Sequence, residues 1–323
     1  MLSIESISYA YNKTNVIDTL SFTAKKGAHI TLMGESGCGK STLLKAIYGL
    51  LSLPKGKIVY NNKELLGPEH HLVPGHPFMK YLAQEFDLMP FISAADNVGE
   101  FLSNFYPNQK QQRTKELLEI VGMTAHAKTH VRFLSGGQKQ RVALARVLAK
   151  EPEVLLLDEP FSQIDNFKKN ELRYRLFSYL KKQNITCITA THDKNDALAF
   201  SDNIIVIKQG KQISARSPQE MFANPTDQYS ASLLSEINIV PLTFFDPARE
   251  EKNILLYPHE IKLKKDSPTQ LEVVAAYYNG THYLIKAELH NKSVLFHHDS
   301  YIAPKTLVGI TVSRTIIEQR ARI

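Results

Sequence analysis

The chain has 323 residues, 43% hydrophobic and 22% charged, with a formal net charge of +7. That length suits one or two domains with an ample core. Several classes are excluded: no run reaches the ~18 apolar residues of a spanning helix, the opening MLSIESISYAYN lacks the apolar stretch of a signal peptide, and Cys38 and Cys187 alone make no disulfide framework. Acids and bases are mixed along the chain with no basic arm, so a nucleic-acid partner is not expected.

In chain order, residues 2–9 and 16–24 read as strands joined by a polar turn at Asn12 to Asn15, with Tyr11 beside the turn. A strand at 28–33 leads into Gly34-Glu35-Ser36-Gly37-Cys38-Gly39-Lys40-Ser41-Thr42. Glycines at this spacing let backbone N–H groups converge into an anion nest, and the helix that follows aims its positive end at the same place. A phosphate group held there is in reach of Lys40, and the Ser41 hydroxyl is placed to ligate Mg²⁺. Lys57 to Tyr60 reads as a strand and Asn61-Asn62 as a turn, followed by a Gly/Pro-broken loop carrying His70, His71 and His76. Those histidines lack the spacing of a metal site, so the loop reads as solvated.

Tyr81-Leu82-Ala83-Gln84 closes a further strand, and residues 95–133 look helical, with Leu117, Leu118 and Val121 on one face. Ser135 is placed as a helix N-cap, with Gln138 three residues on completing a capping box. Val142, Ala145 and Ala149 form an apolar stripe behind it. The apolar run at 154–157 reads as a buried parallel strand that ends in two adjacent carboxylates, Asp158 and Glu159. A helix at 167–183, a strand at 185–190 followed directly by Thr191-His192-Asp193, and a strand at 203–208 complete this part. Beyond residue 237 alternation replaces helical period. Strands are expected at 253–257, 270–278, 282–289, 293–298 and 306–313, with a two-residue hairpin at Asn279-Gly280 and a second turn at His290-Asn291-Lys292. Five such strands suggest a small barrel of oligonucleotide-binding type.

The phosphate loop at 34–42, Leu134-Ser135-Gly136-Gly137-Gln138, and an apolar strand ending in Asp158-Glu159-Pro160, in this order, resemble the ATP-binding subunits of ABC transporters over residues 1 to about 236. The resemblance implies an α/β P-loop NTPase domain with a helical subdomain at about 85–150, followed by a small all-β domain at 237–323. It implies that Tyr11 stacks on adenine, with Tyr9 as a competitor. Gln84 would reach Mg²⁺ or the attacking water, Asp158 would hold Mg²⁺, and Glu159 would act as general base. His192 would contact the γ-phosphate. Ser135, Gly136, Gly137 and Gln138 would close on ATP held by a second copy, with Asp165 at the seam of a head-to-tail homodimer. Gln163-Ile164 stand where Ala-Leu is commoner in the family.

Tyr257-Pro258-His259-Glu260 and the stretch from Val274 to Tyr283 resemble the accessory β-domain of ATPases serving importers of ferric iron, polyamines, oxyanions or sugars. This implies an ATP-hydrolysing motor on the cytoplasmic face of the membrane, working with permease subunits and, indirectly, an extracytoplasmic solute-binding protein. Phe91, Phe101, Phe105 and Tyr106 serve either as a dock for a permease helix or as ordinary core. An exporter or lipoprotein-release ATPase, or a soluble ABC ATPase, is the alternative reading.

Overall fold

The computed structural model describes residues 1–12, 14–245, 252–289 and 292–321. They divide into two compact units, residues 1–218 and 219–323. The division comes before the 236/237 boundary expected from composition. The reason is local: Phe222 stacks on Tyr257 at 4.5 Å, and Gln319 donates to the Ala223 carbonyl at 3.0 Å. Residues 219–236 are thereby tied to the all-β part. Among the described residues no helix is long and apolar enough to cross a membrane.

The first unit begins with β1 (Leu2–Tyr11), β2 (Thr14–Ala24), β3 (His29–Met33), α1 (Lys40–Tyr48), β4 (Lys55–Tyr60), β5 (Lys63–Leu65) and β6 (Met79–Leu82). The helical region follows as α2 (Ala94–Gly99), α3 (Pro107–Ile120) and α4 (Gly136–Leu148). Then come β7 (Val154–Asp158), α5 (Asn166–Lys182), β8 (Thr186–Ala190), α6 (Lys194–Phe200), β9 (Asn203–Lys208) and β10 (Lys211–Arg216). The expected turn after Tyr11 is tighter than read: Tyr11 already pairs with Thr14, Asn12 takes a left-handed φ of 46°, and Lys13 lies outside the described residues. Strand β10 escaped the sequence reading because KQISAR alternates only weakly; it pairs antiparallel with β9.

An antiparallel sheet in the order β2-β1-β4-β5 covers a six-stranded sheet in the order β10-β9-β3-β8-β7-β6. In the larger sheet β9, β3, β8, β7 and β6 run parallel. Every residue of β3, β7 and β8 is buried, so these strands read as near-continuous buried runs rather than as an apolar–polar alternation, with His29, Thr31, Asp158, Thr186 and Thr189 as their buried polar members. Successive side chains still part to opposite faces. Leu156 joins Leu32, Ile188 and Ile205 against Leu43, Leu44 and Ile47 of α1. Leu155 and Leu157 join Val142 and Leu148 of α4 and Leu172, Leu176 and Leu180 of α5. Each such leucine contributes roughly 1.5–3 kcal/mol by leaving water.

The second unit carries α8 (Gln228–Leu234) after α7 (Pro218–Ala223), then β11 (Asn238–Pro241), β12 (Asn253–Leu256), β13 (Ile261–Leu263), β14 (Gln270–Tyr278), β15 (Tyr283–Leu289), β16 (Lys292–His298), β17 (Leu307–Val312) and α9 (Arg314–Ala321). Its sheet is antiparallel, in the order β13-β17-β14-β15-β16. Four of the five expected strands lie in it. The strand at 253–257 instead pairs with β11 in a separate ribbon, and β13 takes the fifth place. Both β11 and β13 are too short to show a period. Buried Asn238 seats β11 by accepting the Leu295 N–H at 2.7 Å and donating to the Leu295 carbonyl at 2.8 Å.

The turn at Asn279-Gly280 is wider than two residues. Tyr278 pairs with Tyr283, so residues 279–282 make the connection. Gly280 takes φ +79°, and the Tyr278 hydroxyl donates to its carbonyl at 2.6 Å. Of the second turn, His290 and Asn291 lie outside the described residues.

Candidate active site

Four chain segments emerge at the carboxyl ends of neighbouring parallel strands: residues 34–42 after β3, Gln84 after β6, Asp158-Glu159 at the end of β7, and His192 after β8. In an open parallel sheet this edge is where ligands bind, because the loops there are free of ladder duties and the following helices point their amino ends at it.

The loop after β3 folds as its glycines require. Gly34 has φ +152°, and a Cβ there would lie 2.2 Å from the Ile207 carbonyl oxygen. Gly39 caps α1 with φ 109°; a Cβ there would lie 2.5 Å from the Val16 carbonyl oxygen. Val16 belongs to the hairpin that also carries Tyr11, so that hairpin is seated on the loop. Tyr11 is exposed and meets Tyr9 edge-on at 4.9 Å. Glu35, Ser36 and Gly37 form the exposed crest, whereas Cys38, Gly39 and Lys40 are buried. Lys40 curls back, its ammonium donating to the Gly34 and Glu35 carbonyls at 2.8 and 2.9 Å. The cation is thus folded over the nest, held by neutral acceptors that an anion can displace. Thr42 follows in the first turn of α1.

Ser41 donates its hydroxyl to Asp158 Oδ1 at 3.0 Å, and Tyr81 donates to Oδ2 at 3.2 Å. Burial pushes the Asp158 carboxyl above its ordinary value; the Ser41 and Tyr81 hydrogen bonds pull against it, and the neighbouring Glu159 charge adds to the rise. A buried carboxylate beside a hydroxyl is a pair of hard oxygen donors whose charge a cation would relieve. The fit is to Mg²⁺, which takes few protein ligands and completes its shell with phosphate oxygens and water. Among the described residues no cluster of three His, Cys, Asp or Glu could hold a metal. His71 and His76 meet edge-on at 5.1 Å, and His76 stacks on Phe78. The role of Tyr81 was missed from sequence; its place one residue before the end of a four-residue strand gave no chemical signal.

Glu159 adopts φ 50°, the left-handed region that non-glycine residues avoid. Its backbone is clamped there. The Glu159 N–H donates to the Ala190 carbonyl at 2.9 Å, while its own carbonyl accepts from Gln140 Nε2 at 2.9 Å and from the Ser162 hydroxyl at 3.1 Å. The side chain points at the next strand end, where Oε1 lies 2.8 Å from His192 Nδ1. Backbone strain of this kind, over-determined by its surroundings, is characteristic of functional sites. Gln84 is exposed just past β6.

The Ser135 turn is built by other neighbours. Ser135 and Gln138 form the expected capping box: Gln138 N–H donates to Ser135 Oγ at 3.3 Å, and Ser135 N–H donates to Gln138 Oε1 at 2.9 Å. Such a cap is worth about 1 kcal/mol, so the turn is formed before any ligand arrives. Gln163 packs against both glycines, and its N–H donates to Gln140 Oε1 at 3.0 Å. Asp165 is exposed at the amino end of α5. Phe91, Phe101, Phe105 and Tyr106 are all exposed.

Sequence reasoning also missed a buried charged cluster under His192. Arg173 of α5 pairs with Asp193 and Asp196. Burial pushes Asp196 up, opposed by Arg173 and the Thr191 hydroxyl. Asp193 is also raised by burial, but the Asn195 amide and Arg173 outweigh it and hold this carboxyl below its ordinary range. Arg173 lies in the helix expected at 167–183 and Asp196 in a helix, α6, that the sequence did not signal; only the fold brings them together.

A family model described as ABC transporter matches residues 17–162. The spermidine/putrescine import ATP-binding protein PotA of Borreliella afzelii (strain PKo) is 31% identical over 313 residues, covering 90% of this chain and 89% of the relative. The Fe(3+) ions import ATP-binding protein FbpC 2 of Haemophilus influenzae is 28% identical over 333 residues, covering 96% and 93%. Among solved structures, the dimeric post-hydrolysis state of the ATP-binding cassette MJ0796 bound to ADP and Pi superposes with a TM-score of 0.60 at 25% identity, covering 68% of this chain and 99% of that one. CbiO1 from Clostridium perfringens, part of the ABC transporter complex cbiONQ, gives 0.60 at 29% identity, covering 69% and 90%.

Proposed function

Because this chain belongs to the ABC transporter family as an ATP-binding subunit, we propose that it drives solute import by hydrolysing ATP between the two copies of a head-to-tail homodimer. The chain is an ABC transporter ATPase, and its cassette is of the dimeric kind. Two relatives along nearly its whole length are import ATP-binding proteins, one for spermidine/putrescine and one for Fe(3+). That agreement favours import over export and leaves the solute to the membrane and binding-protein partners. The motor itself works at the cytoplasmic face of the membrane, docked on permease subunits.

The observation that carries the catalytic reading is the contact of Glu159 with His192 at 2.8 Å, at the ends of adjacent strands and beside the Ser41–Asp158 pair. In this reading residues 34–42 wrap the triphosphate, with Lys40 released from its own loop carbonyls to meet it, and Tyr11 lies under the base. Glu159 takes a proton from the attacking water as general base. His192 orients that carboxylate and meets the γ-phosphate. Ser41 and Asp158, with Gln84, would hold Mg²⁺; when bound, it neutralises charge on the phosphate oxygens. Ser135, Gly136, Gly137 and Gln138 present their turn to the nucleotide of the partner copy, with Asp165 at the seam.

The test is Glu159→Gln. The variant is expected to bind ATP as the native chain does, to accumulate as a dimer on size exclusion in ATP, and to release no phosphate. Hydrolysis at the native rate would remove Glu159 as base. Co-purification with permease subunits from membranes tests the import assembly.

A further inference from the structure

The His192 side chain is 69% exposed, so its own packing does not fix where it points. Beyond its contact with Glu159, its direction comes from the backbone on either side: Asp193 ends on one buried cation, Arg173, and Thr191 reaches the same cation through Asp196. Arg173, with its side chain 3% exposed, pairs through Nη2 with Asp193, the residue after His192. Through Nε it lies 2.5 Å from Asp196 Oδ1, an ion pair rather than a directed hydrogen bond. Thr191, the residue before His192, donates its hydroxyl to Asp196 Oδ2 at 2.8 Å and accepts the Asp193 N–H at 3.0 Å. Arg173 also faces the other loop: its guanidinium carbon lies 5.5 Å from the centre of the Phe161 ring, two residues past Glu159. Nη1 donates to Asn170 at 3.0 Å, and Lys169 reaches Asp193 at 3.8 Å from the rim.

We propose that Arg173 is a positioning residue for ATP hydrolysis, holding the Thr191–Asp193 turn against the Phe161 loop so that His192 meets Glu159. The inference rests on the catalytic reading of those two residues. A guanidinium suits the task, because it can bond one carboxylate, Asp193, in a fixed direction and share its charge with a second, Asp196, while its face lies on an aromatic ring. Stability does not explain the cluster: a buried ion group is commonly no more stable than apolar residues of the same volume. What it supplies is a unique geometry for an exposed imidazole.

The experiment is a double-mutant cycle on kcat, with ATP KM and thermal unfolding followed in each variant. Thr191→Val removes the hydroxyl without stranding a charge, and Arg173→Lys keeps the charge but loses the fork. Each is expected to lower kcat roughly tenfold, the scale of a small misplacement, with ATP KM nearly unchanged. His192→Ala added to either variant is expected to cost much less than it costs alone. A third variant, Arg173→Met/Asp193→Asn/Asp196→Asn, leaves no charge in the buried centre of the cluster, with only Lys169 at its rim losing a partner, and is expected to fold yet turn over slowly. Full additivity with His192→Ala, or a native kcat in the triple variant, overturns the positioning role while leaving Glu159 and His192 in place. A native kcat for His192→Ala alone overturns both this inference and the role of His192 on which it rests.

Discussion

Gly137 rests on the backbone of Gln163: a Cβ at Gly137 would sit 2.5 Å from the Gln163 carbonyl oxygen and 3.4 Å from Ile164 Cα. A Cβ at Gly136 would meet only the far end of the Gln163 side chain, at 2.6 Å from Oε1. A flexible amide can swing aside, whereas main chain cannot. Gly137→Ala is therefore expected to displace the segment at 163–164 and abolish dimer-dependent ATPase activity, while Gly136→Ala retains a measurable part of it. Phosphate release at matched protein concentration checks the order; equal losses would contradict it.

Asp158 gives a prediction with a sign. Its carboxyl titrates above the ordinary value because burial disfavours the charge. In the window between those two values the folded chain holds a proton that the unfolded chain has lost. Stability linked to this group therefore falls as pH rises through the window. Asp158→Asn should raise the Tm of chelator-treated protein, and by more near pH 7 than near pH 4, the ordinary carboxylate range. The same variant should lose Mg²⁺-dependent hydrolysis. A lower Tm at neutral pH would show that the native carboxylate is stabilising as an anion.

The phosphate loop separates two kinds of glycine. Gly37→Ala meets open space and bears only the strain of φ +82°, about 1–2 kcal/mol. Gly34→Ala drives a methyl into the Ile207 carbonyl and the Cys38 sulfur, at 2.2 and 2.6 Å, and must move β9 or the loop. Nucleotide binding measured by calorimetry should survive the first change in weakened form and vanish with the second.

In the second unit, Arg320 pairs with Glu260 Oε1 at 2.5 Å, with both side chains buried, and Glu260 Oε2 accepts the Tyr257 N–H at 2.8 Å. Arg320→Met strands that carboxylate and should cost about 3–5 kcal/mol of stability. Arg320→Met/Glu260→Gln should recover most of it, because no charge is left unpaired and the amide oxygen can still serve Tyr257. Denaturant unfolding of the two variants distinguishes the pair from simple packing, which would leave both equally unstable.

Much of this was legible in the residues themselves. The buried runs of β3, β7 and β8, the cap at Ser135 and the order of the small sequence motifs pointed to the carboxyl edge of the sheet, because each is a local pattern with a local cause. What escaped was set by partners distant in the chain. Tyr81 meets Asp158 across 77 positions, and Arg173 meets Asp193 across 20, with nothing in their own neighbourhoods to mark them. The short β11 and β13 hold their places in the second unit through pairing and, for β11, through Asn238, and the hairpin connection at residues 279–282 is closed by the Asn279 N–H on the His282 carbonyl, beyond the dipeptide signal.

Gln140 sits on the helix opened by the Ser135 turn, donates to the carbonyl of Glu159 and accepts from Gln163. In the proposed pair of subunits, the face each copy lends to its neighbour and the carboxylate it keeps for itself are therefore spliced to one joint. A subunit could not let go of its neighbour's fuel without tugging on its own trigger, and the two firings would keep step.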